Sequence, residues 1–253
     1  MDLVIQLLIV CPLSFIAGFV DAVAGGGGLI ALPAFVFAGI PIHNAIGTNK
    51  LASAMGTTVA TIRYALSGYM VRRFVLACVP CALLGSWGGS SLAMLTDDRV
   101  LQMIVLFILP FAAFFVLRTK DLDVFSKTEI PIGRAVILTA VISLAVGMYD
   151  GFYGPGTGTF LMLLFTSVCH QDVRTAAGTT KAANLSTNLA ALVVYLVNGV
   201  VLLPLGLCAG LFNIAGNYVG ASKFTKNGSA LARPIMLVVI TLFAVKLIFD
   251  LFV

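Results

Sequence analysis

The chain has 253 residues, enough for one or two water-soluble domains, yet 60% are hydrophobic and only 10% charged, and the mean hydropathy is +1.09. Soluble chains carry charge on about a quarter of their residues, so this composition excludes a water-soluble globule and places the protein in a lipid bilayer. A net charge of +5 spread thinly along the chain disfavours nucleic-acid binding. The five cysteines (Cys11, Cys78, Cys81, Cys169 and Cys208) all fall in apolar stretches and are odd in number, which excludes a disulfide framework.

The first apolar run, Leu3 to Ala24, follows Asp2 rather than a basic stretch and leads into glycines rather than a cleavage site, so it reads as a retained membrane segment. A spanning helix needs about 20 apolar residues. Stretches of that size follow at 44–67, 74–95, 99–118, 133–150, 175–199, 202–222 and 234–252. Two shorter pieces, Leu29 to Gly39 and Phe160 to Val168, each follow a glycine-rich break and are expected to be half-helices or hairpins rather than full spans. The predicted fold class is all-α, a polytopic transmembrane helical protein.

The chain is internally duplicated. Gly18-Phe-Val-Asp21-Ala-Val-Ala-Gly25-Gly-Gly27 aligns with Gly147-Met-Tyr-Asp150-Gly-Phe-Tyr-Gly154-Pro-Gly156 at an offset of 129, and Ala45-Ile-Gly47-Thr48-Asn49-Lys50 aligns with Ala176-Ala-Gly178-Thr179-Thr180-Lys181 at 131. The second register also pairs Tyr64 with Tyr195, Gly68 with Gly199, Gly85 with Gly216 and Gly89 with Gly220. The expected organisation is a first membrane repeat over 1–120, a cytoplasmic connecting loop over 121–132 and a second repeat over 133–253, together one transmembrane domain. Five segments per copy, an odd number, force the second copy into the membrane inverted.

The positive-inside rule, which concerns Lys and Arg in short loops, agrees. Five segments per copy put Arg72, Arg73, Arg118, Lys120, Lys127, Arg134, Arg174, Lys223, Lys226 and Arg233 on one side and only Arg99 on the other. The expected location is therefore the cell (inner) membrane, multi-pass, with both termini external.

Inverted repeats with interrupted helices are a building plan of secondary transporters, whose sites lie near the midplane between the copies. Lys50 sits about 9 Å into its segment from Asn44, at 1.5 Å per residue, and Lys181 lies at similar depth from Arg174, entering from the opposite face. A Lys at such depth costs at least about 2.5 kcal/mol and calls for a counter-ion or a wet cavity; snorkelling or a structural ion pair is the plainer alternative. Asp21 and Asp150, each four residues before a glycine, either pair with these lysines, carry a proton during transport, or close the glycine loop by hydrogen bonding. Gly25 to Gly28 and Gly154-Pro-Gly-Thr-Gly158 open the short helices, and Gly26, Gly27, Gly156 and Thr157 would offer backbone donors to an anion there; close helix packing also uses such glycines.

Polar residues continue downstream of each Lys. Lys50, Ser53 and Thr57 share one helix face, as do Lys181, Asn184 and Asn188, one stripe repeated in both copies. With Asn49 and Thr180 beside the lysines, these complete the candidate substrate-binding set, although interhelical hydrogen bonding explains buried polar residues equally. Cys78-Val-Pro-Cys81 is isolated, without a second pair for zinc, and His43 and His170 lack metal-ligand spacing, so no metal and no cofactor is called for. Asp21 and Asp150 could instead form an intramembrane aspartyl dyad, but the Gly-x-Gly-Asp pattern of such hydrolases is absent and the repeat explains the pair.

The motifs Gly-Phe-Val-Asp-Ala-Val-Ala-Gly-Gly-Gly-Gly, Ala-Ile-Gly-Thr-Asn-Lys-Leu and Tyr-Asp-Gly-Phe-Tyr-Gly-Pro-Gly-Thr-Gly resemble the TauE/SafE family of membrane permeases, particularly its YfcA-like branch. The resemblance spans nearly the whole chain, through Arg-Pro-Ile-Met and Ala-Val-Lys-Leu near the end. It implies transport of sulfur-containing anions such as sulfite or organosulfonates, and a permease rather than an enzyme. The partners expected are a small anionic substrate, the bilayer and protons as a coupling ion; homo-oligomerisation is left open.

Overall fold

The computed structural model describes residues 2–97, 100 and 130–227. Among these residues the chain is entirely helical. In chain order the helices are α1 (Leu3–Ala24), α2 (Gly28–Phe37), α3 (Ile42–Leu66), α4 (Arg72–Met94), α5 (Ile132–Phe152), α6 (Thr157–Ser167), α7 (Val173–Val197) and α8 (Leu203–Asn227). They follow the apolar segments read from the sequence. The segments predicted at 99–118 and 234–252, most of the 121–132 loop, and Arg99 lie outside the described residues.

Helices α1, α4 and α5 are long and apolar enough to cross a membrane. The two 25-residue helices α3 and α7 reach about 37 Å at 1.5 Å per residue, but each carries a polar stripe that lowers its hydropathy. That stripe faces inward. Thr48, Lys50 and Thr57 on α3, and Thr179, Lys181, Asn184 and Asn188 on α7, are buried, while Leu8, Leu66, Leu76, Leu84 and Ile137 stand outward. Lipid is as apolar as leucine, so burial of apolar surface does not drive helices together here; small residues and close backbone approach do.

The glycines at the crossings carry that approach. On α4, a Cβ on Gly85 would collide with the Leu144 carbonyl of α5, and one on Gly89 with the Met148 carbonyl. Their repeat counterparts on α8 behave alike: Gly216 lies against the Phe15 carbonyl and Gly220 against the Phe19 carbonyl of α1.

Helix pairing is crosswise between the halves. The most extensive contacts join α4 to α5 and α1 to α8; next come α8 with α3 and α4 with α7, and α3 meets α7 at the centre. Exchanging each helix for its counterpart (α1 for α5, α2 for α6, α3 for α7, α4 for α8) maps this set of pairs onto itself, an arrangement compatible with inverted repeats.

The predicted half-helices are present. Helices α2 and α6 have 10 and 11 residues, too short to span a hydrocarbon core of about 30 Å. Helix α1 ends where Gly25 turns left-handed (φ 73°) and its N–H bonds to the Asp21 carbonyl; α6 begins after Gly156, also left-handed (φ 83°). The two breaks touch, because a Cβ on either Gly25 or Gly158 would run into the backbone of the other.

Candidate functional site

Lys50 is the ninth residue of α3 and Lys181 the ninth of α7, so each stands about 12 Å from the start of its helix at 1.5 Å per residue. Both are 2% exposed. An ammonium group so placed requires a counter-charge, and each finds one in the other half of the molecule. Lys50 Nζ donates to Asp150 Oδ2 at 2.7 Å and to Asn188 Oδ1 at 3.3 Å. Lys181 Nζ donates to Asp21 Oδ2 at 2.8 Å and also to the Asp21 main-chain carbonyl.

The carboxylates hold further partners from the polar stripes. Asp21 accepts from Thr57 Oγ1 and from Asn184 Nδ2, both at 3.4 Å. Each aspartate lies one turn before its helix break. Two symmetric tyrosines hold those turns: Tyr64 of α3 donates to the Ala22 carbonyl at 2.6 Å, and Tyr195 of α7 to the Gly151 carbonyl at 2.9 Å. Tyr149 Oη donates to the Pro155 carbonyl at 2.6 Å, and Thr159 Oγ1 ties α6 to the end of α1 through the Ala24 carbonyl at 2.8 Å. The last two bonds have no counterpart in the first half, where Val20 and Ile30 occupy the matching positions.

Between the charge pairs lies a cavity of about 20 Å³, lined by Asp21, Asp150, Lys50, Asn49, Ser53, Asn184 and Asn188, and by Gly25, Gly28, Gly154, Thr157 and Gly158 from the two breaks. One water needs about 10–15 Å³ in this measure, so the site as it stands is closed to anything much larger. The pairs differ in access: the Lys50 and Asp150 side chains are each 3% exposed, whereas Asp21 is 13% exposed.

Most of the residues expected from the sequence meet here, and some do not. Lys50, Asn49, Ser53, Asn184, Asn188 and Thr157 line the cavity together with both aspartates. Lys181 and Thr57 reach it through their bonds to Asp21. Thr180 is buried, its hydroxyl has no partner, and it stands outside the lining. Of the predicted glycines, Gly26, Gly27 and Gly156 give way to their neighbours Gly25, Gly28, Gly154 and Gly158; Gly25 and Gly154 (φ 100°) are left-handed. Tyr64 and Tyr195 were visible as a symmetric pair without a role; a hydroxyl placed to bind the turn after each aspartate supplies one.

The two aspartates are not arranged as a dyad sharing one proton; each is engaged by a lysine. Arg63, which has no repeat counterpart, lies with its guanidinium 5.0 Å above the Tyr218 ring, outside the cavity lining. His43 Nε2 lies 2.9 Å from the Ala93 carbonyl, and all five cysteines are free thiols.

The family described as Sulfite exporter TauE/SafE matches residues 10–247. The chain is 35% identical over 238 residues to a "Probable membrane transporter protein ORF9" of Sinorhizobium, covering 94% of this chain and 90% of that one. It is 31% identical over 252 residues to a "Probable membrane transporter protein" of Haemophilus influenzae, with 99% and 98% covered. It is 30% identical over 244 residues to the "Probable membrane transporter protein YfcA" of Escherichia coli, with 94% and 87% covered. No solved structure matches the chain.

Proposed function

The chain belongs to the Sulfite exporter TauE/SafE family, and from that premise we propose that this membrane transporter is a permease for a small oxyanion, sulfite or an organosulfonate, working by alternating access between inverted repeats. The observation that carries the reading is the crosswise charge pairing: Lys50 of the first half with Asp150 of the second, and Lys181 of the second with Asp21 of the first. A site assembled from both halves, at the contact of two interrupted helices, changes whenever one half rocks against the other, which is what alternating access requires. The lysines supply charge for an oxyanion, the Asn and Ser side chains supply hydrogen bonds, and the helix breaks supply backbone N–H groups near the starts of α2 and α6. The sulfur-containing substrate class rests on the family's description.

The test is uptake of labelled sulfite and methanesulfonate into proteoliposomes. Lys50→Gln and Lys181→Gln should each reduce transport strongly. Each single variant leaves a buried carboxylate unpaired, a change that costs about 3–5 kcal/mol when such a pair is broken, so a charge-neutral double variant separates folding from function. Lys50→Gln with Asp150→Asn should insert and stay folded yet remain inactive. Transport at the unaltered rate in that double variant would leave the pair with a purely structural role.

A further inference from the structure

We propose that Asp21 and Asp150 are internal anions which the substrate must displace, so that the permease moves its oxyanion with one proton per negative charge and transport is electroneutral. This rests on the transport reading above and concerns the coupling of the same site. Among the described residues, the four charges gathered at the site sum to zero: two lysines and two aspartates. Both ammonium groups are already occupied, Lys50 by Asp150 and Asn188 and Lys181 by the carboxylate and carbonyl of Asp21. The space between has room for about one water. An oxyanion entering such a site with nothing else changed would add a net charge to a nearly dry interior, where an uncompensated ion is heavily penalised.

Protonation removes the obstacle. A proton from the aqueous phase adds to a carboxylate oxygen of Asp150 or Asp21, the ion pair opens, and the freed ammonium takes the anion; on release to the other side the anion leaves, the proton returns to water and the pair closes. With proton and anion both bound the site is neutral, as it is with neither. Two lysines set the capacity, one proton for a monoanion and two for a dianion, and leave no compensation for a trianion.

Few other groups compete for the proton. Among the described residues, the ionisable side chains near Asp150 include Lys50 from α3, Tyr195 from α7 and Tyr149 beside it, with Tyr153 next to Tyr149; near Asp21 they include Lys181 from α7 and Tyr64 from α3. Tyr64 and Tyr195, each within its own half, spend their hydroxyl protons on main-chain carbonyls. Helices α2 and α6 carry no ionisable side chain, and Arg72, Arg73 and Lys223 of α4 and α8 stand outside the cavity lining.

Methanesulfonate makes the decisive probe, because a sulfonate stays ionised at neutral pH and cannot bring its own proton, as hydrogen sulfite can. In proteoliposomes of the full-length protein holding a pH-sensitive dye, methanesulfonate flux should move one proton per anion, follow an imposed pH gradient, and be unchanged by a potassium diffusion potential of either sign. Asp21→Asn, at the more exposed pair, fixes one extra positive charge. The flux that remains should lose the pH drive, move no proton and become sensitive to potential. Wild-type flux that follows the membrane potential without proton movement would overturn the inference and leave the transport reading standing. Absence of flux for sulfite and methanesulfonate alike would overturn both.

Discussion

At the scale of single residues, Gly154 is the position where backbone and charge meet. Its φ of +100° lies where side chains are strained, and a Cβ there would stand 3.0 Å from both Asp150 Oδ1 and Lys50 Nζ. Gly154→Ala should therefore cost about 1–3 kcal/mol, read as a lowered unfolding midpoint in detergent, and should also impair transport by pushing the pair apart. Gly39→Ala is the control: the same left-handed region (φ 78°), with nothing within 4 Å of the added Cβ. It carries backbone strain alone and should leave transport near normal; the matching turn in the second half already holds a non-glycine, His170 at φ 51°. Equal loss of transport in both variants would mean that Gly154 matters only for its backbone. The lysines and aspartates were legible in the sequence because a charge is conspicuous in an apolar run and because each occurs twice. Which lysine meets which aspartate was not legible, since pairing within a copy and pairing between copies use the same four residues; only the packing of α3 against α7 decides it.

At the scale of elements, the helix crossings rest on glycines at one-turn spacing. Gly89 of α4 and Gly220 of α8 each face a carbonyl of the partner helix at a distance no Cβ can share, whereas Gly88 points to open space. Gly89→Ala and Gly220→Ala should each lower stability by about 1–3 kcal/mol through overpacking. Gly88→Ala should raise it by about 0.5–1 kcal/mol, the ordinary gain of Ala over Gly inside a helix. Thermal unfolding of the purified protein compares all three, and a stabilised Gly89→Ala would mean that α4 and α5 are not in backbone contact. Helix positions were readable from hydropathy to within a few residues: 44–67 was expected and Ile42–Leu66 is found, 175–199 was expected and Val173–Val197 is found. The early starts have a local cause, since Pro41 and Asp172 stand at the caps and hydropathy does not register caps. The symmetric glycines were visible as a repeat, but that repeat could not name the helix each one faces, because α1 meets α8 and α4 meets α5 over intervals of sequence that no periodicity spans.

At the scale of the whole molecule, charge makes the orientation of the halves in the membrane a testable expectation. The crosswise helix pairing and the charge pairs exchanged between halves fit a two-fold relation between the copies, and an axis in the membrane plane would turn the second copy upside down. Under that arrangement the basic residues near the helix ends gather on one face among the described residues: Arg72 and Arg73 at the start of α4, Arg134 at the start of α5, Arg174 at the start of α7 and Lys223 toward the end of α8. The positive-inside rule assigns the basic face to the cytoplasm. Asp21 and Lys181 would then lie toward the cytoplasm and Lys50 and Asp150 toward the exterior, with Lys181 entering from the Arg174 end of α7 and Lys50 from the opposite face on α3. The greater exposure of Asp21 would then put the more accessible pair on the inner side. Reporter fusions at Lys127 and after Val253 should report cytoplasmic and external locations respectively. A cysteine-accessibility scan should find Ser67 and Gly199, the turns after α3 and α7, labelled from opposite sides by an impermeant thiol reagent in a background freed of native cysteines. Labelling of both from one side, or both fusions reporting the same compartment, would rule out inversion, and with it the placement of the two charge pairs toward opposite faces.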